Sequence, residues 1–205
     1  GGAAVVERIA DPRVSYARNP RTLGMAGNWN RGLDLADTDL VTLLHADDEL
    51  LPNYAATMLA GAAAYPAAAA LFCRAVVVGP DGAPVFSLAD RVKDFIAPST
   101  TTPVRLAGPA GIAALLRGNF IMCPTVCYRK AALGGRRFDG RWRFVLDLDF
   151  FTRLLAAGDE LVGLPETAYA YRRHAGNATA EYTESLLRFD EEAALYDRLA
   201  AEAAG

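Results

Sequence analysis

The hydrophobic positions of the chain follow two different periods. Apolar residues spaced three or four apart predict helices at 3–9, 25–35, 53–64, 110–117, 148–157 and from 184 onward. Continuous or alternating apolar runs predict strands at 14–17, 40–44, 69–78, 84–87, 120–128 and 160–174. Residues 90–108 follow neither period and predict a long loop, of the kind that often forms a lid or a binding loop. Strands that alternate with helices are typical of an α/β sheet with parallel connections.

One of these strands ends in a dense group of charged and polar residues. The apolar run Leu40–Leu44 stops at the sequence His45-Ala46-Asp47-Asp48-Glu49. Ligands of open α/β sheets bind where strands reach their carboxyl ends, and oxygen-rich groups suit Mg²⁺ or Mn²⁺. The alternative is a surface turn in which Asp47 or Asp48 caps the next helix.

A second pair of acids lies in the sequence FVLDLDFFTRLLAAG, where a helix begins. Residues two apart on a helix point in different directions, so Asp147 and Asp149 are expected to do different jobs. Arg153 follows Asp149 by four residues, a spacing that permits an ion pair. The alternative is that both acids simply complement the dipole at a helix N-terminus.

A histidine follows the last predicted strand, in the sequence YAYRRHAGNAT. His174 is a reasonable ligand for Mn²⁺ beside carboxylates, and Arg172 and Arg173 add positive charge that suits a phosphate. The alternative is an ordinary basic surface loop.

Composition narrows the class of protein. The 205 residues suit one domain, and 52% hydrophobic with 22% charged residues is a soluble, globular composition. A net charge of −3 argues against a nucleic-acid-binding protein. No apolar run is long enough to span a bilayer. The three cysteines do not have the spacing of a zinc site, and they predict reduced thiols. We therefore expect a cytoplasmic protein, which includes peripheral binding to the inner face of a membrane.

From about Asn19 to Thr179 the sequence resembles a family 2 glycosyltransferase with a GT-A fold. The stretch NPRTLGMAGNWNRGLDLADTDLVTLLHADDELLP is similar to the family segment that ends in the DXD motif. On this resemblance Gly24 matches a loop glycine and Asn30 a helix asparagine. Asp47 matches the carboxylate that coordinates the metal. His45 stands in the place of the first Asp, which commonly contacts the ribose of the nucleotide.

The resemblance continues through the other two groups. Asp147 takes the place of the catalytic base in the family's Glu-Asp-x-Asp stretch, and Leu146 stands where many members have Glu. Asp149 matches the second Asp of that stretch, and Arg153 the arginine one turn later. His174 is similar to the histidine of a Tyr-Arg-x-His element that completes the metal site or contacts the diphosphate.

The resemblance implies a metal-dependent, inverting transfer of a sugar from a nucleotide-diphospho-sugar (UDP-, GDP- or dTDP-linked) to an acceptor hydroxyl. The implied fold is an α/β, GT-A type, Rossmann-like domain with a mostly parallel central sheet flanked by helices. The implied cofactor is Mn²⁺ or Mg²⁺. The implied sites are a metal site of Asp47, Asp48 and His174, a donor site of Gly24, Asn30, His45, Asp47 and Arg172, a base at Asp147, and supporting residues Asp149 and Arg153.

The implied domain covers residues 1–183, followed by an amphipathic C-terminal helix at 184–205. Members of the family open with a strand, a helix and a second strand, and this sequence begins within the helix that follows them. We therefore expect roughly the first quarter of the usual domain to be absent. A sheet edge and apolar helix faces would then be exposed, which predicts weak nucleotide binding and either self-association or complementation by a separate N-terminal segment.

Two other functions are compatible with parts of the pattern. A nucleotidyltransferase also places acidic metal ligands on an α/β sheet, but it normally carries a glycine-rich, basic phosphate loop near the N-terminus, and the sequence has none. A non-catalytic carbohydrate-binding or scaffolding relative would account for His45 and for the missing N-terminal elements.

Overall fold

The computed structural model describes residues 2–85, 96–97, 101–174, 182 and 184–204. The helices are α1 (Gly2–Ile9), α2 (Gly24–Leu35), α3 (Tyr54–Ala64), α4 (Gly108–Leu116), α5 (Lys130–Leu133), α6 (Leu146–Ala156) and α7 (Leu187–Ala204). The strands are β1 (Leu40–Thr42), β2 (Glu49–Leu50), β3 (Ala68–Val78), β4 (Val104–Ala107), β5 (Val126–Arg129) and β6 (Glu160–Arg172). A short 3₁₀ turn, Cys123–Thr125, leads into β5.

The strands form one mixed sheet in the order β1-β5-β3-β6-β2, with β4 paired to the first part of β6. Within the described residues β3 and β6 are parallel, and the other four pairs are antiparallel. The predicted α/β class is confirmed, but the sheet is mixed rather than mostly parallel. Alternation of helices and strands fixes the class, whereas strand direction depends on which strands pair over long distances.

Helices cover both faces of the sheet because neighbouring strand residues point to opposite sides. In β5, Val126 and Tyr128 belong to a large hydrophobic cluster, and Cys127 between them belongs to a second one. The large cluster includes side chains of α2, α4, α6 and α7. Tyr54 and Met58 of α3 pack in the second cluster. The three cysteines are free thiols, as predicted, and burial raises the pKa of Cys73 to about 12.

Most predicted helices and the two long strands are confirmed within a few residues. The predicted strand at 14–17 is wrong, since this segment pairs with no strand in the described part of the chain and its Val14 and Tyr16 are exposed. The predicted strand at 40–44 ends at Thr42, and Leu44 is half exposed.

The loop predicted at 90–108 is partly wrong, because 104–107 form β4 against β6. Hydrogen bonds from Gly79 to Ala83 and from Val85 to Val77 form the predicted turn after β3. Residues 86–95, 98–100, 175–181 and 183 lie outside the described part of the chain.

The C-terminal helix packs on the rest of the chain, since Leu195 of α7 is fully buried in the large cluster. The division between 183 and 184 stays a prediction. Among the described residues no helix is both long enough and apolar enough to cross a membrane.

The close packing of β3 against β6 gives a test of the fold. A Cβ atom at Gly163 would lie 2.6 Å from two ring carbons of Phe72. We expect Gly163→Ala to lower the free energy of unfolding by about 1–3 kcal/mol, because the packed ring must move. The matched control is Gly140→Ala, whose Cβ would meet no heavy atom within 4 Å. Equal urea midpoints for the two variants would contradict this packing.

Candidate active site

A tight turn joins β1 to β2 and carries the first acidic group. We call His45-Ala46-Asp47-Asp48 the acidic turn; it closes with a hydrogen bond from the Asp48 N–H to the His45 carbonyl at 3.3 Å. The two adjacent carboxylates have different surroundings. The side chain of Asp48 is fully buried, whereas 37% of the Asp47 side chain is exposed.

Asp48 ties the acidic turn to β6. Its Oδ2 accepts a hydrogen bond from the Tyr169 hydroxyl at 2.9 Å, and its Oδ1 accepts one from the Arg172 N–H at 2.7 Å. Burial raises the pKa of the Asp48 carboxyl, and these two hydrogen bonds oppose that rise. Asp48 therefore acts as a structural anchor, whatever further role it has in metal binding.

The Arg172 side chain strengthens the same connection. Its Nε donates to the Asp47 carbonyl at 2.9 Å, its Nη1 donates to the Gly79 carbonyl at 2.9 Å, and its Nη2 pairs with Glu49. The guanidinium thus joins the acidic turn to the turn after β3. Its predicted contact with a donor phosphate stays a prediction.

Asp47 and His174 meet where β1 and β6 end. The Nε2 atom of His174 lies 3.0 Å from Oδ2 of Asp47, although the two residues are 127 positions apart. Their approach brings together two of the three predicted metal ligands. A carboxylate oxygen and an imidazole nitrogen are both donors that Mn²⁺ accepts.

His45 is the first residue of the acidic turn. Its ring stacks on the indole of Trp29 at a centroid distance of 5.3 Å, and its buried Nε2 has no hydrogen-bond partner in the described part of the protein. Burial lowers the pKa of the imidazole against the opposing charges of Asp48 and Asp47, so the ring is neutral at pH 7. His45, Asp47 and Asp48 offer ligand atoms that all lie within 4.8 Å of one another, a set that fits a divalent cation.

The second acidic group is at the N-terminus of α6. Asp147 Oδ1 accepts a hydrogen bond from the Leu148 N–H at 2.8 Å, and its Oδ2 accepts one from Asn119 Nδ2 at 3.2 Å. The side chain is partly exposed. These contacts hold the carboxylate of Asp147 in one orientation.

One cleft of about 1530 Å³ contains both groups. His45, Asp47, Asp147 and His174 line it together. The other predicted site residues do not line it: Gly24, Asn30, Asp48, Asp149, Arg153 and Arg172. The structure thus separates the predicted residues into a set that faces the cleft and a set that supports it.

Asn30 and Gly24 have structural duties. The Asn30 amide makes two hydrogen bonds of 2.8 Å with the backbone of Phe138, one to its carbonyl and one from its N–H. Gly24 begins α2 with a φ of +71°, a conformation that favours glycine. Donor binding by either residue stays a prediction.

Asp149 is buried between two arginines. Its Oδ2 pairs with Arg153 at 2.8 Å, as the spacing of four suggests, and its Oδ1 pairs with Arg198 of α7 at 2.7 Å. Arg153 also donates to the Arg137 carbonyl at 2.9 Å. Asp149 therefore fixes α6 against its neighbours, which agrees with the different jobs expected for the two acids.

Glu191 is a further residue near the cleft that the sequence pattern did not predict. It is buried in α7 and accepts hydrogen bonds from backbone N–H groups just before α6. Its signal lay in the helical period: Glu191 shares one face of α7 with Leu187 and Leu195, at spacings of four. A charged residue on an apolar face indicates a buried polar contact.

A model of the family described as "Glycosyl transferase family 2" matches residues 2–121, which is more than half of the chain. The chain belongs to glycosyl transferase family 2. The family resemblance of the sequence is thereby confirmed, and the mixed α/β sheet flanked by helices fits the GT-A fold. The matched residues include the acidic turn and end before Asp147 and His174.

Two solved structures of TarS from S. aureus also align with this family 2 chain. The structure of TarS 1-349 aligns with a TM-score of 0.48 and 15% identity, over 70% of this chain and 38% of TarS 1-349. The other TarS structure aligns with a TM-score of 0.47 and 16% identity, over 72% of this chain and 24% of its own. The chain thus spans less than half the length of either structure. No curated protein sequence matches it.

The buried hydrogen bonds of Asp48 predict a stability that depends on pH. We expect Tyr169→Phe to lower the free energy of unfolding by about 1.5–3 kcal/mol at neutral pH, because the buried carboxylate loses a donor. Above the raised pKa of Asp48 the group is charged and needs that donor most. As pH falls through this pKa, the carboxyl takes up a proton and the deficit should shrink. Urea unfolding from pH 8 to pH 4 measures this difference, with Tyr16→Phe as an exposed control. A deficit that does not change with pH would contradict the role of Asp48.

Proposed function

We propose that this family 2 chain transfers a sugar from a nucleotide-diphospho-sugar to an acceptor hydroxyl, with a divalent metal and with inversion at the anomeric carbon. The observation that carries the proposal is that one cleft holds two acids in separate settings. Asp47 lies beside His174 at the acidic turn, and Asp147 lies at the start of α6. An inverting transferase needs one carboxylate for the metal and another for the acceptor proton.

Asp47 and His174 are the primary residues for the metal, with Asp48 beside them. Bound there, Mn²⁺ or Mg²⁺ would neutralise the charge of the leaving diphosphate. The imidazole of His174, and that of His45 close by, favour Mn²⁺ over Mg²⁺, which prefers oxygen ligands. Since Asp48 already accepts two hydrogen bonds from β6, its contribution is expected to be the weakest of the three.

Asp147 is the base. Its carboxylate takes the proton of the acceptor hydroxyl while that oxygen forms a bond to the anomeric carbon. The bond from that carbon to the diphosphate oxygen breaks on the opposite face of the sugar, which gives inversion. The hydrogen bonds from Asn119 and from the Leu148 N–H hold the carboxylate in one orientation during this step.

Contacts with the nucleotide sugar are expected around His45 because its ring stacks on Trp29 and both residues line the cleft. Its neutral ring can exchange a hydrogen bond with a ribose hydroxyl. Family membership favours glycosyl transfer over nucleotidyl transfer, and a non-catalytic carbohydrate-binding relative is the outcome that the assays must exclude.

Metal binding is tested by thermal shift. We expect MnCl₂ with a UDP-, GDP- or dTDP-sugar to raise the melting temperature of the wild type, and Asp47→Asn to lose most of that rise because the amide is a weaker metal ligand. Asp37→Asn, a change at an exposed carboxylate outside the cleft, is the control. Equal shifts in Asp47→Asn and the wild type would place the metal elsewhere.

The base is tested by separating chemistry from binding. We expect Asp147→Asn to lower kcat for sugar transfer by about 10²–10⁴-fold, because an amide cannot take the acceptor proton. Donor affinity, from titration of the nucleotide sugar in MnCl₂, should change little. Near-normal turnover in this variant would defeat the assignment of Asp147. Absence of turnover in the wild type with every donor would favour the carbohydrate-binding alternative.

A further inference from the structure

We propose that Glu191 in α7 is a positioning residue for Asp147. The inference rests on the proposed role of Asp147 as the base. The Glu191 carboxylate holds the backbone of residues 143–145, the segment from which α6 and Asp147 project.

The contact is a cluster of hydrogen bonds on one buried carboxylate. The N–H of Arg143 lies 3.0 and 3.1 Å from the two oxygens of Glu191. The N–H groups of Phe144 and Val145 donate to Oε2 at 2.8 and 3.2 Å. Consecutive N–H groups that converge in this way form a concave site for an anion. Here the anion is a side chain of the same protein, from a helix 46 to 48 positions away.

The contact supports the start of α6, because the hydrogen bond from the Leu148 N–H to Asp147 lies inside the first turn and leaves residues 143–145 without an acceptor from α6. Val145 occupies the capping position and has no side chain that can accept a hydrogen bond. A negative charge near a helix N-terminus is favourable, and Glu191 supplies one from outside the helix. Without it, the N–H groups of Arg143, Phe144 and Val145 would lose their acceptor in a partly buried setting.

A second contact of α7 holds the other side of Asp147. Arg198, seven residues after Glu191, donates to the buried carboxylate of Asp149 at 2.7 Å. Leu195 between them is fully buried. Thus Glu191 holds the backbone before Asp147, and Arg198 holds the side chain of Asp149 after it. Two residues of α7 therefore help to position the proposed base.

The proposed base and the proposed metal ligands are held in place by different elements of the fold. The acidic turn and His174 depend on β1 and β6, whereas Asp147 depends on α7 through Glu191. A shift of the 143–145 segment would therefore move the base relative to the acceptor and leave the metal ligands in place. Misplacement by about 1 Å can slow a positioned reaction by about 10²-fold.

The experiment compares Glu191→Ala and Glu191→Gln with Asp197→Asn, a change at an exposed acid on the same helix. We expect Glu191→Ala to lower kcat by up to about 100-fold, with nucleotide-sugar affinity in MnCl₂ within twofold of the wild type. The kcat of Glu191→Gln should lie between those of Glu191→Ala and Asp197→Asn, because glutamine keeps one acceptor oxygen and loses the charge. It also serves as the test variant if Glu191→Ala fails to fold.

Two readouts distinguish positioning from a general structural role. In an Asp147→Asn background, Glu191→Ala or Glu191→Gln should cause little further loss of kcat, because the group that it positions is already gone. Amide hydrogen exchange should quicken at residues 143–145 in the Glu191 variants and stay unchanged at the acidic turn. Additive losses, unchanged exchange at 143–145, or a kcat equal to that of Asp197→Asn would each overturn the proposal.

The proposed function fails in a different way. Full activity of Asp147→Asn, or no transfer by the wild type with any donor, would remove the base and with it the positioning role. An active wild type with an impaired Asp147→Asn variant, combined with normal kinetics for Glu191→Ala and Glu191→Gln, would overturn the positioning role alone.

Discussion

The buried carboxylate of Asp48 is the contact on which the candidate site depends. It joins the acidic turn to β6 through the Tyr169 hydroxyl and the Arg172 N–H, and these two partners lie 121 and 124 positions further along the chain. Once they are joined, Asp47 is carried to within 3.0 Å of His174. A buried charge is costly unless it is well hydrogen-bonded, so Asp48 requires the donors that Tyr169 and Arg172 supply. The position of the partly exposed Asp47 is therefore set by its buried neighbour Asp48.

The same division of labour recurs at α6. Asp149 is buried between Arg153 and Arg198, and Asp147, two residues earlier, faces the cleft. In each acidic group one carboxylate is buried and holds the surrounding structure, and the other lines the cleft. A flexible loop could not keep two acids in a fixed relation across an open cleft of this size. Buried anchors allow this, because they tie each presented acid to an element of the core.

Local patterns predicted most helices and the two long strands, because each depends on neighbours in sequence. Of the ten site residues expected from the sequence and its family resemblance, His45, Asp47, Asp147 and His174 line the cleft and the other six do not. The direction of the strands and the pairing of β4 with β6 could not be predicted, since both depend on distant partners. Nor does the local pattern show that Asp48 is buried and Asp47 partly exposed, because this difference depends on the hydrogen bond that β6 donates to Asp48. The helical period marks Glu191 as a charged residue on an apolar face, but it does not identify the partners of Glu191, which are backbone N–H groups of a distant segment.

The histidine in the first position of the acidic motif follows from the same electrostatics. An aspartate at position 45 would place a third carboxylate within a few ångströms of Asp47 and Asp48, and like charges so close together penalise one another's ionisation. A neutral imidazole avoids that repulsion, and it stacks on Trp29 in a way that a carboxylate could not. The buried Nε2 of His45 has no hydrogen-bond partner among the described residues, and under the proposed function a bound nucleotide sugar or metal would supply one.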